Sequence, residues 1–210
     1  MNKFVAQPML EDIVRITQRV VVDNLVVSTQ GNFSARDPAT GYIAITPHDA
    51  PYSRLTAADL VIVDVNGNLV AGSLAPSFET PVHCTVYRKR PNVMAIAHTE
   101  PAYVNAFGAV NREILPVTTT AFKSSGGTIP IMPYQRSGSV EFAEQMLAVM
   151  RDRYAVVWAN HGMLVVGPTI DAAYERSLAI EAGARTLHLA LQIGDPSTLA
   201  GIKDPASVVA

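Results

Sequence analysis

Residues 93–101 read Val-Met-Ala-Ile-Ala-His-Thr-Glu-Pro, and the interpretation of the whole chain starts from this stretch. The apolar run 93–97 predicts a buried strand, and Pro101 is placed to open a helix. His98 and Glu100 therefore stand at the end of the strand. Because strand residues two apart project from the same face, we expect this imidazole and this carboxylate to converge on one point.

The sequence on either side alternates strand-like and helix-like patterns. Strands are predicted at 42–46, 60–65, 69–71, 154–158 and 163–166, and helices at 10–27, 80–90, 140–151 and 171–193. Asn66-Gly67 predicts a hairpin turn, Thr80 and Asp171 are expected helix N-caps, and a turn is predicted at 124–127. The pattern indicates an α/β protein forming one domain over residues 1–210, with a short mobile tail after about residue 196.

Composition excludes several classes of protein. The 210 residues are 49% hydrophobic with a net charge of −2, which excludes a disordered chain. Acidic residues (18) outnumber Lys and Arg (16), so a nucleic-acid partner is not expected. No apolar run approaches the ~20 residues of a membrane span, and residues 1–8 do not resemble a signal peptide. The single cysteine, Cys84, excludes a disulfide within the chain. A soluble, cytoplasmic protein that acts on a small molecule is expected.

A second histidine could join the first pair of polar residues. His161 occupies a tight Asn-His-Gly turn between two predicted strands. Together with His98 and Glu100 it provides two imidazoles and one carboxylate, a set that suits Zn²⁺, Mn²⁺ or Fe²⁺. Taken without further support, His98 and Glu100 are better explained as structural residues, Glu100 as a carboxylate favoured near a helix N-terminus. Structural roles are expected for three further residues: His83, Cys84 and His188.

Five short motifs occur in a fixed order along nearly the whole chain. They are Gly31-Asn32-Phe33-Ser34, Ile45-Thr46-Pro47, Pro76-Ser77-Phe78-Glu79, His98-Thr99-Glu100 and Asn160-His161-Gly162. In this order the chain resembles the class II aldolase/adducin family. The resemblance implies a central, mainly antiparallel β-sheet flanked by helices, a divalent cation (zinc or manganese), and a homotetramer with active sites at subunit boundaries.

The resemblance also assigns roles to individual residues. His98 and His161 match metal-binding positions, and Glu79 matches the carboxylate that serves the aldolases as general acid/base. The strand-end motif of the aldolases is His-x-His, whereas this chain has Glu100 at the second position. Glu100 either replaces the imidazole as a ligand, which favours harder ions such as Mn²⁺, or does not bind the metal.

The substrate pocket departs from the family pattern. Gly31, Asn32 and Ser77 match the phosphate pocket of sugar-phosphate members, but His48-Asp49 replaces a Thr-Gly pair and Phe78 replaces a second serine. A carboxylate repels a phosphate dianion and a phenyl ring donates no hydrogen bond, so the predicted substrate is not a phosphate monoester.

Four positions bear on how the substrate is held and cleaved. Thr120 stands where the aldolases use a tyrosine to protonate the leaving aldehyde. Lys123 is a candidate anchor for a substrate carboxylate, with a solvated surface lysine as the equal alternative. Arg36 and His48 are further candidates for the same role.

The leading hypothesis is a metal-dependent carbon–carbon lyase of the aldolase type. The ion would polarise a carbonyl and stabilise an enediolate of a small, non-phosphorylated oxo or hydroxy compound, with Glu79 moving the proton. The first alternative is a metal-dependent decarboxylase of a hydroxy-aromatic or oxo acid. The second is a non-catalytic, adducin-like scaffold.

Overall fold

A computed structural model describes residues 4–200 and contains an eight-stranded sheet with helices on both faces. The strands are β1 (Asn32–Arg36), β2 (Ile43–Ile45), β3 (Val61–Val63), β4 (Leu69–Ala71), β5 (Ala95–Thr99), β6 (Ile131–Met132), β7 (Ala155–Trp158) and β8 (Gly162–Gly167). The helices are α1 (Gln7–Val22), α2 (Thr80–Lys89), α3 (Ala102–Ala109), α4 (Thr119–Ser125), α5 (Val140–Met150) and α6 (Ile170–Ile193), with a 3-10 turn at Tyr52–Arg54.

The strand order is β4-β3-β2-β1-β5-β8-β7-β6. Neighbouring strands are antiparallel except β6 and β7, which are parallel. This arrangement confirms the predicted α/β class with a mainly antiparallel sheet.

Alternating side chains bury both faces of the sheet. On β7, Val156 and Trp158 pack in one apolar cluster with α2 and α5, whereas Ala155 and Val157 pack in another with α3 and α6. On β1, Phe33 and Ala35 pack against α1 and α6. The molecule is therefore layered helix–sheet–helix, and successive residues of a strand face opposite layers.

The strand β1 lies in the middle of the sheet, although no strand was predicted there. Its sequence, Asn-Phe-Ser-Ala-Arg, lacks the branched apolar residues that signal a strand. Asn32 and Ser34 are nonetheless 7% and 0% exposed. The burial of these polar side chains is stable because both form hydrogen bonds with buried partners. In register, Asn32 lies opposite His98 of β5. The missed strand therefore places a polar residue beside the predicted metal ligand.

Local boundaries follow the predictions with informative exceptions. The β3–β4 hairpin forms across Asn66-Gly67, where Gly67 has φ +88°. Helix α1 ends at Val22 rather than near residue 27, because Asn24 adopts φ +55° and reverses the chain. The predicted turn at 124–127 is the end of α4, a helix that was not predicted, and Gly126 closes it with φ +76°.

Both predicted N-caps are displaced. Thr80 is the first residue of α2, and Glu79 occupies the N-cap position. For α6 the cap is Thr169, whose hydroxyl accepts from the Ala172 N–H at 3.1 Å. Asp171 lies in the first turn and forms an ion pair with Arg15 at 2.8 Å. The displacement of the first cap matters for function, since it puts the Glu79 carboxylate at the start of a helix.

The tail predicted after residue 196 is only partly described. Within the described part, the Leu199 N–H donates to the Pro116 carbonyl at 2.8 Å, and residues 201–210 lie outside the described residues. Between residues 4 and 200, none of the helices is both long and apolar enough to span a bilayer.

Candidate metal centre and active site

His98 is held in the orientation of a metal ligand. It is 1% exposed at the end of β5, and its ring stacks on Trp158 with 4.5 Å between centroids and 24° between planes. Its Nδ1 lies 3.0 Å from the Met163 carbonyl oxygen. Because a carbonyl oxygen only accepts, Nδ1 carries a proton, so in the neutral ring the lone pair that can bind a metal is on Nε2.

His161 reaches the same point from the β7–β8 turn. Asn160 adopts φ +58°, and the His161 N–H donates to the Trp158 carbonyl at 3.1 Å, so the turn is tight. The two imidazole rings meet edge-to-face with centroids 4.9 Å apart. Burial and the nearby His98 lower the pKa of His161, which outweighs the opposing effect of Glu79 and Glu100. His161 therefore favours the neutral form, which binds metals.

Glu79 lies between the two imidazoles. Its carboxylate is 3.5 Å from His98 Nε2 and 3.7 Å from His161 Nε2, and the residue is 5% exposed. Asn32 Nδ2 donates to Oε2 at 3.0 Å, and Ser137 Oγ donates to Oε1 at 2.5 Å. Each oxygen of the Glu79 carboxylate therefore accepts one hydrogen bond and lies near one imidazole: Oε2 near His98 and Oε1 near His161.

The charge state of Glu79 is set by opposing effects on its pKa. Burial raises the pKa of Glu79, although the neighbouring Phe78 is 54% exposed. The His98 ring, the hydrogen bonds from Ser137 and Asn32, and His161 together outweigh burial and leave the pKa below its usual value. Glu79 is therefore a carboxylate in this arrangement, ready to accept a proton or to contact a cation.

Glu100 completes the cluster, as the i, i+2 spacing predicts. Its Oε1 lies 3.9 Å from the Nε2 atoms of both His98 and His161. Burial is the main cause that raises the pKa of Glu100, and the Glu79 charge adds to it, while His161 opposes them. Two carboxylates this close repel each other, and a divalent cation between them would remove that cost.

The spacing of these donor atoms fits a divalent ion. One ligand atom each from Glu79, His98 and His161 can be chosen so that all lie within 4.8 Å of one another. Ligands about 2.0–2.2 Å from a tetrahedral zinc are separated by roughly 3.3–3.6 Å, close to the 3.5 and 3.7 Å found here. Glu79, predicted to be catalytic only, lies nearer to both imidazoles than Glu100, which is 3.9 Å from each.

A cavity of about 210 Å³ opens onto this cluster. Its lining includes the four residues of the cluster and four predicted substrate-binding residues: Gly31, Asn32, His48 and Ser77. Asp49 also lines it, with its carboxylate 3.2 Å from His48 Nε2. Among the described residues that line the cavity there is no lysine or arginine. The volume and lining suit a small polar molecule.

Other predicted anchors do not line this cavity within the described chain. Lys123 is exposed on α4, as is Thr120. The Arg36 guanidinium donates to the carbonyls of Tyr87 and Val93, and it therefore fastens β1 to α2 and to the segment just before β5, outside this cavity. The assignment of Lys123 to substrate binding remains a prediction.

Ser137 is a site residue that was not predicted. It lies in the loop between β6 and α5, just before Ser139, which caps α5 by accepting from the Phe142 N–H at 3.1 Å. The Ser-Gly-Ser run of residues 137–139 predicts a loop and a helix start but not a contact with Glu79, 58 residues away in sequence. Only the tertiary structure reveals this contact.

Gly162 makes the close approach of the two histidines possible. A Cβ atom there would lie 2.6 Å from the Thr99 carbonyl oxygen, 2.9 Å from Glu100 Cγ and 2.9 Å from His98 Cε1. We expect Gly162→Ala to displace His98 and Glu100 and to weaken metal binding, with a stability loss of about 1–3 kcal/mol from overpacking. Metal titration and thermal unfolding measure the two effects. Gly194→Ala, which adds a Cβ atom to open space in extended backbone at the end of α6, is the comparison for a glycine without neighbours, and equal metal affinity in both variants would contradict the expectation.

Comparison with known proteins places the site in a family. The model of the class II aldolase and adducin N-terminal domain matches residues 11–188. The chain belongs to the class II aldolase and adducin family. Its relatives include the 5-deoxy-D-ribulose 1-phosphate aldolase of Bacillus thuringiensis serovar kurstaki, 30% identical over 189 residues, covering 90% of this chain and 88% of the relative. The L-fuculose phosphate aldolase of Escherichia coli K12 is 30% identical over 168 residues, covering 80% and 77%.

The solved structures agree with the family assignment. An L-fuculose 1-phosphate aldolase superposes with a TM-score of 0.90 at 26% identity, covering 95% of this chain and 94% of its own. A Klebsiella pneumoniae protein, whose description leaves aldolase, epimerase and decarboxylase open, superposes with a TM-score of 0.83 at 26% identity, covering 98% and 99%. The predicted family and its fold are thereby confirmed.

Proposed function

We propose that this class II aldolase family member is a divalent-metal-dependent carbon–carbon lyase for a small, non-phosphorylated oxo or hydroxy compound. The observation behind the proposal is the Glu79 carboxylate, buried beside two imidazoles that present lone pairs to the same cavity. A bound divalent ion supplies polarisation of the substrate carbonyl and stabilises the negative charge that develops on it. We assign the ion to His98 and His161, with Glu100 as a further ligand.

In this proposal the chain's own residues bind the substrate and move the proton. In the cleavage direction Glu79 takes the proton of the hydroxyl group on the carbon that leaves as the aldehyde, and the carbon–carbon bond breaks with its electrons passing to the substrate carbonyl oxygen. Glu79 then returns the proton to the carbon next to the carbonyl, and the reverse of this last step removes a proton from that carbon. Ser137 and Asn32 keep the carboxylate pointing into the cavity. Gly31, His48 and Ser77 contact the remaining polar groups of the substrate.

The charge of the cavity supports a substrate without a phosphate group. Glu79, Glu100 and Asp49 line the cavity, and the cationic groups among the described lining residues are limited to histidines. One bound divalent ion would offset two of these carboxylates and leave the third to repel a dianion. The two aldolases compared above are named for phosphorylated sugars. The proposed substrate without a phosphate group therefore differs from the substrates in those names.

Deuterium exchange into a simple ketone tests both parts of the proposal. With Zn²⁺ or Mn²⁺ present, we expect the protein to exchange the carbon-bound protons of dihydroxyacetone in D₂O, which proton NMR measures. Dihydroxyacetone phosphate should exchange more slowly. A rate with the phosphate ester that equals or exceeds the rate with the free ketone would contradict the proposed substrate class.

A metal-dependent decarboxylase is the second candidate. No tyrosine lines the described part of the cavity, and the Tyr52 hydroxyl donates to the Gly31 carbonyl at 2.6 Å. Aldol cleavage must remove the hydroxyl proton of the carbon that leaves as the aldehyde, a step in which a tyrosine would assist, whereas loss of CO₂ from a carboxylate requires no such transfer. Release of CO₂ without an aldehyde from oxo acids would favour this candidate.

Stoichiometric metal, measured by elemental analysis, would exclude the third alternative, a metal-free scaffold. We also propose that the protein works as a homotetramer, which sedimentation tests.

A further inference from the structure

Behind Glu79, away from the cavity, a line of buried hydrogen bonds continues into the molecule. Asn32 Oδ1 lies 2.6 Å from His83 Nε2, and His83 Nδ1 lies 2.7 Å from Ser34 Oγ. Ser34 Oγ in turn lies 2.8 Å from the Tyr87 hydroxyl. His83 and Ser34 are 0% exposed and Tyr87 is 1% exposed. The polar groups of β1 and α2 therefore form one chain that ends on the carboxylate of Glu79.

The direction of every bond in this chain follows from the Asn32 amide. Its Nδ2 donates to Glu79 Oε2 at 3.0 Å, and its oxygen faces His83. That oxygen requires a donor, which places a proton on His83 Nε2. Complete burial lowers the pKa of His83 to about 3, so the ring is neutral and Nδ1 is an acceptor. Ser34 must then donate to Nδ1 and accept from the Tyr87 hydroxyl.

We propose that His83 is a positioning residue for Glu79: its Nε2–H fixes the orientation of the Asn32 amide, which in turn holds the Glu79 carboxylate toward the cavity. The proposal rests on the function assigned above only in taking Glu79 as the group that moves the proton. His83 itself does not line the cavity. Its removal should therefore change the rate of proton transfer without changing the binding of substrate.

The alternative orientation of the amide explains why such a device is needed. If the amide were turned over, the Asn32 oxygen would face the Glu79 carboxylate, and two acceptors would repel each other. Oε2 of Glu79 would then have no hydrogen-bond donor, which costs much free energy for a buried charge. A side chain that presents only a donor to the amide oxygen excludes this orientation. A misplaced carboxylate loses rate steeply, since a shift of about 1 Å can cost about 10²-fold.

Two variants of nearly equal size separate positioning from packing. Gln at position 83 keeps an N–H donor for Asn32, whereas Met has the same reach and no donor. Measured as deuterium exchange into dihydroxyacetone, kcat should fall about 10- to 100-fold in His83→Met and stay within about threefold of wild type in His83→Gln. The KM and the metal content should be unchanged in both. Equal rates in the two variants, or a loss that appears in KM alone, would overturn the proposal.

A second measurement needs no enzymatic activity. The ¹⁵N NMR spectrum of histidine-labelled wild-type protein should show His83, assigned by its absence in His83→Gln, as a neutral ring with its proton on Nε2 between pH 5 and 9. A proton on Nδ1, or a cationic ring, would overturn the proposal even if the protein is fully active. Should the protein not exchange dihydroxyacetone, or should His83→Met not fold, this spectrum still decides the inference.

Discussion

Replacing Glu79 with Gln is expected to reduce turnover by roughly 10²–10⁴-fold while the protein still binds its divalent ion. Gln has nearly the same shape, and its single oxygen can accept from Asn32 while its NH₂ group donates to the Ser137 hydroxyl, but it cannot take up a proton. His98, His161 and Glu100 remain to hold the ion. Deuterium exchange into dihydroxyacetone measures the rate, and elemental analysis measures the metal.

The matched control is Glu175→Gln, which removes a carboxylate from the exposed surface of α6. It should leave the rate and the metal content unchanged. Full activity in Glu79→Gln would show that the assigned role is wrong. Loss of the metal together with the rate would show that Glu79 acts as a ligand, which its distances of 3.5 and 3.7 Å from the two imidazoles also allow.

Replacing His161 with Ala is expected to abolish metal binding and activity together. Only His98 would then remain as a nitrogen ligand, with two carboxylates that repel each other. Since even partners outside the first coordination shell contribute 10- to 100-fold to metal affinity, the loss of a ligand should cost at least about 100-fold. Calorimetric titration with Zn²⁺ or Mn²⁺ measures the affinity.

Thermal unfolding gives a second readout that does not depend on substrate. An ion that binds the folded state raises the melting temperature, so added metal should stabilise the wild type and not His161→Ala. The control is His188→Ala, because His188 is exposed on α6 and pairs with Gln192. A metal-dependent rise of normal size in His161→Ala would remove His161 from the ligand set and with it the proposed centre.

Several site residues could be predicted because their neighbours are close in sequence. The pairing of His98 with Glu100 follows from the two-residue repeat of a strand, and the tight turn around His161 follows from its Asn and Gly neighbours. Glu79 depended on the order of the motifs along the chain. The structural roles expected of His83 and Cys84 agree with their burial, and burial raises the pKa of the Cys84 thiol to about 11.

Contacts between distant segments could not be predicted in this way. Ser137 meets Glu79 across 58 residues, and no local pattern encodes that distance. The strand β1 was missed for a related reason: Asn32 and Ser34 are typical of loops until His83 and Glu79 satisfy their hydrogen bonds. Arg36 lies on that same missed strand, which explains why its contacts with backbone carbonyls were not foreseen.

The amino-acid order by itself determined the alternation of strands and helices, the family, and the identity of the two histidines, because periodicity and turn chemistry act over a few residues. The tertiary structure decided which groups surround Glu79, how its carboxylate is oriented, and that a polar strand lies at the centre of the sheet. Buried polar side chains are stable only when partners from other segments reach them, and those partners are fixed when the sheet and α2 pack together.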